Sequence, residues 1–212
     1  MISSAAPPAT IGMVFECGPQ GADKQVCEYL TRHIRPEVEI KSRTLDNKNN
    51  LLRDAGKVAA QLLKDGCACV LIVWDLRPAW PDKKAKSCRH DERQAVLMRL
   101  TEAAVPPDAP VYLICIEQEL EGWLLANERA ISALLSTPAH VYGVPKVKTP
   151  DSVMQPKAAL LGHFKQARGW RYDDKVDALR VLNASIVDLP RLRRSTSFAR
   201  FEAKLLACHA RP

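Results

Sequence analysis

The segment CACVLIVWD, residues 67–75, decides the fold. It is the most apolar stretch of the chain and ends in a carboxylate, which predicts a central strand buried on both faces. Just before it, LRDAGKVAAQLLKDG (52–66) has helical spacing and a closing Gly66. Further upstream, EVEIKSR (37–43) alternates like a half-exposed strand. IGMVFE (11–16), the turn Cys17-Gly18-Pro19-Gln20-Gly21 and ADKQVCEYLTRHI (22–34) read as strand, turn and helix. Downstream, a basic loop (77–90) leads to the helix DERQAVLMRLTEAA (91–104), which Pro106, Pro107 and Pro110 end. VYLICIEQ (111–118) is a strand and LEGWLLANERAISALL (120–135) a helix. This alternation predicts an open, mainly parallel α/β sheet with helices on both faces. The expected domain covers residues 11–136. Residues 137–212 follow as a basic helical extension packed on it, and residues 1–10 as a disordered start.

The composition, 47% apolar and 26% charged over 212 residues, excludes collagen-like, coiled-coil and wholly disordered classes. A chain of this size buries roughly 70% of its unfolded surface and needs no disulfide or metal staple. No apolar run approaches a membrane span, and residues 1–10 lack the features of a signal peptide, so a cytoplasmic protein without membrane contact is expected. The seven cysteines have no C-x-x-C pair and are read as reduced, mostly buried thiols. Strand alternation would point Cys67 and Cys69 to one face. The net charge is +7, and from Lys146 onward there are 14 basic and 6 acidic residues, so the whole positive surplus lies in the last third. That is either an electrostatic footprint for nucleic acid or an acidic partner, or a solvated surface.

In parallel sheets, ligands sit beyond the carboxyl ends of the strands. The acids there are Glu16, Asp75 and the group Glu117, Glu119 and Glu121. Converging carboxylates form a hard-oxygen site for Mg²⁺ or Mn²⁺, whereas each acid taken alone is a helix cap or a solvated strand end. The chain has no P-loop lysine and no G-x-S-x-G elbow, which argues against a nucleotide triphosphatase and an α/β-hydrolase. Cys17 reads as a buried or incidental thiol. His90 either contacts its own helix or holds phosphate. Trp74 and Trp123 read as core residues, and Trp80, between Pro78 and Pro81 in the basic loop, as an exposed residue, with a platform for a partner or a base as the alternative.

Glu16 and Gly18 after the first strand, Asp75 ending the third and IEQELEGWLLAN (116–127) carry a resemblance, supported by PKAALL (156–161), DLPRLRR (188–194) and SFARFEAKL (197–205). The chain resembles an uncharacterised bacterial TOPRIM-like family often encoded beside ABC-type ATPases in phage-defence loci. The resemblance implies a Mg²⁺-dependent nuclease or toxin-type effector acting on nucleic-acid phosphodiesters, with an ABC-type ATPase as partner. Glu16 would be a metal ligand or general acid/base, and Asp75 the first aspartate of an Asp-x-Asp pair. Arg77 stands where the second belongs; a guanidinium cannot ligate a cation but can grip a phosphate. Glu119 and Glu121 would then replace the lost carboxylate. The alternative is a catalytically degenerate module binding nucleic acid, nucleotide or a partner protein. Lys146, Lys148, Lys157, Arg168, Arg171, Arg193 and Arg194 are the expected phosphate-facing residues, with His90 and Arg77.

Overall fold

The computed structural model describes residues 8–79 and 86–208. Trp80 and residues 1–7 of the expected disordered start lie outside the described residues. Four strands, β1 (Thr10–Phe15), β2 (Glu39–Thr44), β3 (Cys69–Asp75) and β4 (Val111–Ile116), form one parallel sheet in the order β2-β1-β3-β4. The segment centred on residues 67–75 is thus an interior strand, paired on both sides. Its period-2 alternation feeds two cores. Cys69, Leu71 and Val73 join Ile11, Met13, Phe15, Ile114 and Ile116 on one face, and Val70, Ile72 and Trp74 join Val14 and Cys115 on the other.

Helices α2 (Lys48–Lys64) and α3 (Arg89–Glu102) cover the second face through Leu51, Ala55, Ala59, Leu62, Val96 and Leu100. Gly56 sits where they cross. A Cβ there would overlap the Arg99 carbonyl group and lie 2.8 Å from the Leu100 nitrogen. Because both obstacles are backbone, Gly56→Ala is expected to lower stability by about 1–3 kcal/mol, measurable by chemical denaturation.

The first face is covered by α1 (Ala22–Ile34) together with the C-terminal half of the chain. That half comprises α4 (Glu121–Leu125), α5 (Glu128–Leu135), α6 (Pro156–Arg168), α7 (Asp174–Asn183), the short α8 (Leu189–Leu192) and α9 (Thr196–Leu206). Leu160, Phe164, Val181, Phe198 and Phe201 share one core with the strands and α1. Trp123 is 1% exposed, packs edge-on to Phe198 and donates from Nε1 to Ser197 Oγ at 2.8 Å.

Three local expectations differ from the structure. The single helix over 120–135 is broken at Ala126–Asn127, where Asn127 caps α5 through its side chain at 3.4 Å from the Ala130 nitrogen. Cys67 precedes β3 rather than lying in it, so strand alternation does not govern it, and it packs on the face opposite Cys69. Cys69 itself is disulfide-bonded to Cys208, with Cα atoms 5.6 Å apart across a sequence separation of 139. The fold brings the start of β3 to the end of α9, a proximity the scattered spacing concealed. Of the free thiols, Cys27, Cys67 and Cys115 are buried, Cys17 is half-buried and Cys88 is exposed.

Candidate functional site

The chain runs from β1 outward to β2, then returns across β1 to β3 and on to β4. The order therefore reverses between β1 and β3, and the crevice beyond their carboxyl ends is the ligand position of open α/β sheets. A cleft of about 630 Å³ occupies it. Its floor is Glu16, the residue after β1, and Asp75, the last residue of β3; Asp23, Glu121, Asp174, Arg77, Lys157 and Lys175 stand around them.

Turn chemistry between β1 and α1 shapes one wall. Gly21 donates its N–H to Gly18 O at 2.8 Å, and a Cβ on Gly21 would collide with the Cys17 side chain. The tight turn delivers Asp23, in the first turn of α1, over the sheet edge. One carboxylate oxygen each from Glu16, Asp23 and Asp75 lie within 4.8 Å of one another. Asp75 accepts from the Leu120 N–H at 3.3 Å through Oδ2, but its Oδ1 and Glu16 Oε2 are buried without a hydrogen-bond partner. Buried polar atoms are rarely left so. Hard oxygens with free lone pairs at this spacing fit a divalent cation of the Mg²⁺ or Mn²⁺ type.

Electrostatics match the geometry. Burial, opposed by Lys48 and reinforced by Asp23 and Glu92, pushes Glu16 up to about 8. Burial and then Asp174 raise Asp23 to about 6, with Lys157 opposing. Burial, Asp23, Glu16 and Glu121 hold Asp75 well above its ordinary range, and burial lifts Glu121 to about 7. Burial and then Asp23 push the Cys17 thiol up to about 12, so it stays neutral in the cleft.

These acids titrate higher when folded than when unfolded, so around neutral pH the native state holds the extra protons. Their contribution to stability is present at low pH and is lost as pH rises through the raised values. The metal-free protein is expected to lose thermal stability between about pH 5 and 8, and a scan of the unfolding midpoint against pH checks it. Cation affinity should run the opposite way, rising over the same window as protons leave the ligands.

The sequence-derived residues do not all meet here. Glu16 and Asp75 are adjacent, as required for one site. The third close carboxylate is Asp23, and neither Glu119 nor Glu121 completes that group among the described residues. Glu119 Oε2 instead accepts the Lys157 N–H at 3.2 Å at the start of α6, while Glu121 faces Lys157 Nζ at 3.9 Å. Glu117 is taken by Arg89 and by Arg200, the latter at 2.9 Å. His90 is exposed in the first turn of α3, outside the cleft lining.

The basic residues are dispersed. Lys157 forms a wall of the cleft and pairs with Asp174, Arg171 is exposed beside it, and Lys146 and Lys148 are exposed in the connection after α5. The Arg168 guanidinium lies 4.2 Å over the Trp170 ring. Arg193 is held bidentately by Glu202 at 2.7 and 2.8 Å; Arg194 is bonded to Glu128, Ala126 O and Val147 O. Both arginines are paired within the C-terminal helices; the Arg194 side chain is largely covered by its partners, whereas that of Arg193 stays 49% exposed beside Glu202.

Sequence reasoning missed Asp23, Asp174 and Lys48. The two acids stand in the first turns of helices, where the macrodipole alone accounts for them. Lys48 is buried beneath the cleft, donating to Leu76 O at 2.9 Å and Pro78 O at 2.8 Å and pairing with Glu92 at 3.3 Å.

Among the described residues, no helix is long and apolar enough to cross a membrane. No curated protein and no solved structure matches the chain. A family model described as a domain of unknown function (DUF4276) matches residues 20–206, a span that holds Asp23, Asp75, Glu121, Lys157 and Asp174. With three of the four strands and all the C-terminal helices inside that match, the chain belongs to the DUF4276 family.

Proposed function

We propose that the cleft is a divalent-cation site that acts on nucleic-acid phosphodiesters, as in TOPRIM-like nucleases. The observation that carries this reading is the Glu16–Asp23–Asp75 group, whose buried oxygens on Glu16 and Asp75 have no partner within the protein. A bound Mg²⁺ or Mn²⁺ would neutralise the group, polarise a phosphate oxygen and lower the pKa of attacking water.

The residues of the chain supply the remainder. Arg77 and Lys157, both on the cleft wall, place positive charge beside the carboxylates, which suits a phosphate next to the cation. Glu16, titrating near 8, can take or return a proton close to neutral pH. The lost second carboxylate of an Asp-x-Asp pair is matched in number by Asp23, delivered from α1 instead of from the segment after β3. A toxin-type role under an ABC-type ATPase in phage defence rests on the sequence resemblance.

A second reading, a binding module without turnover, draws on Arg77 itself, because its fixed charge competes with a second cation. The two separate in one experiment. Labelled single-stranded DNA, duplex DNA and RNA are incubated with Mg²⁺ or Mn²⁺, with chelator as the control. Cation-dependent cleavage that disappears with the chelator supports the nuclease; cation-dependent binding with every strand intact supports the module.

A further inference from the structure

A second groove, of about 390 Å³, lies beside the cleft on the side of the C-terminal helices. The two have Glu119 and Lys157 in common in their linings, so they adjoin there. Beyond Lys157 the character of the lining changes. Ala158 and Leu161, one helical turn apart on α6, present an apolar shelf, and Leu161 is 38% exposed although it is a large aliphatic residue. Arg171, exposed on the loop between α6 and α7, stands at the shelf as a second cation.

An apolar surface between two cations can cover the face of one unstacked base while the cations take its flanking phosphates. We propose that this groove binds single-stranded nucleic acid, with a base on the Ala158–Leu161 shelf, one phosphate at Lys157 and the next at Arg171. The proposal rests on the reading of the cleft as a phosphodiester site and adds the direction in which the strand leaves it. A duplex keeps its bases stacked, and presenting one to the shelf would cost unstacking energy of a few kcal/mol. The shelf therefore selects single strands. It also gives the basic surplus of the last third of the chain a specific use at Lys157 and Arg171, in place of the broad positive face expected from charge alone.

The probe is a fluorescein-labelled ten-residue oligothymidylate followed by polarisation, with Ca²⁺ in place of Mg²⁺. In parallel, Mn²⁺ binding is measured by calorimetry. Leu161→Glu and Arg171→Glu change exposed side chains outside the carboxylate group and leave the fold intact. Each is expected to weaken oligonucleotide binding about tenfold or more, with the Mn²⁺ isotherm unchanged. For Arg171→Glu the slope of log affinity against log salt should also become shallower, by about 0.7 for the one phosphate that is no longer neutralised.

Wild-type affinity in both variants overturns the groove, as does equal affinity for the oligothymidylate and its duplex with oligoadenylate. Equal displacement by thymidine monophosphate, nucleotide for nucleotide, also overturns the strand reading. Failure of the wild-type protein to bind Mn²⁺ overturns the cation site instead, and the groove then stands or falls on the oligonucleotide measurements alone.

Discussion

Asp75→Asn is expected to abolish divalent-cation binding while leaving the metal-free protein folded and at least as stable. Asp75 ends the central strand, and its two oxygens have different duties. Oδ2 accepts the Leu120 N–H, and Oδ1 is buried with no partner in the protein. An asparagine keeps the acceptor and the volume, so the hydrogen bond that joins β3 to the start of α4 survives. What disappears is the negative charge that Asp23, Glu16 and Glu121 already disfavour. The metal-free fold therefore loses nothing, and its unfolding midpoint at pH 8 should rise.

A cation loses one of three clustered hard ligands, and the affinity should drop by more than the roughly 10–100-fold typical of removing an outer-shell partner. Asp23→Asn should behave in the same way, whereas Glu119→Gln should leave cation affinity near wild type, since Glu119 serves the first turn of α6. Calorimetric titration with Mn²⁺ reads all three. Undiminished affinity in Asp75→Asn would remove the cation site and the nuclease reading with it.

The largest loss of stability is expected from Lys48→Met. Lys48 and Glu92 form an ion pair between side chains 4% and 9% exposed, and Glu92 also accepts the Trp74 Nε1–H at 2.8 Å. Breaking a buried pair from one side strands the other charge in a medium that solvates it poorly, at a cost of about 3–5 kcal/mol. The Leu76 and Pro78 carbonyls lose their donor as well. Those carbonyls flank Arg77, so the cleft wall should loosen along with the core. Adding Glu92→Gln to Lys48→Met removes the stranded charge yet keeps an acceptor for Trp74, and part of the stability should return. Urea denaturation of the two single variants and the double variant measures the coupling. A loss below about 1 kcal/mol in Lys48→Met would mean that Glu92 sheds its charge or reaches water at little cost.

Sequence and structure agree where the physics is local. The apolar run at 67–75, bounded by a helix ending in Gly66 and by a carboxylate, could only be stable with both faces covered, and it is an interior strand. Glu16 and Asp75 followed from the same logic, since parallel strands end on one side and their terminal residues gather there. The half-exposed alternation of EVEIKSR matched the edge strand β2. Reasoning from residue type succeeded for Trp123 and Trp74 too, whose indoles pack in the core with their N–H groups bonded.

It failed where two distant segments had to be compared. Nothing in the local pattern singled out Asp23 and Asp174, which stand in the first turns of helices, or the pairing of Arg193 with Glu202 and of Arg194 with Glu128. The Cys69–Cys208 bond had no trace in the spacing. In each case the deciding partner lies elsewhere in the chain, up to 139 residues away for the disulfide.

By itself, then, the sequence determined the class of fold, the buried strand and the two acids at the sheet edge, because hydrophobic periodicity and strand polarity are properties of short segments. Only the tertiary structure decided which third carboxylate lies beside Glu16 and Asp75, which acids the arginines pair with and that a second groove adjoins the cleft along α6. Those outcomes depend on distances of a few ångströms between elements. Charges and lone pairs interact at that range with whatever the packing places beside them, and no local pattern encodes the neighbour.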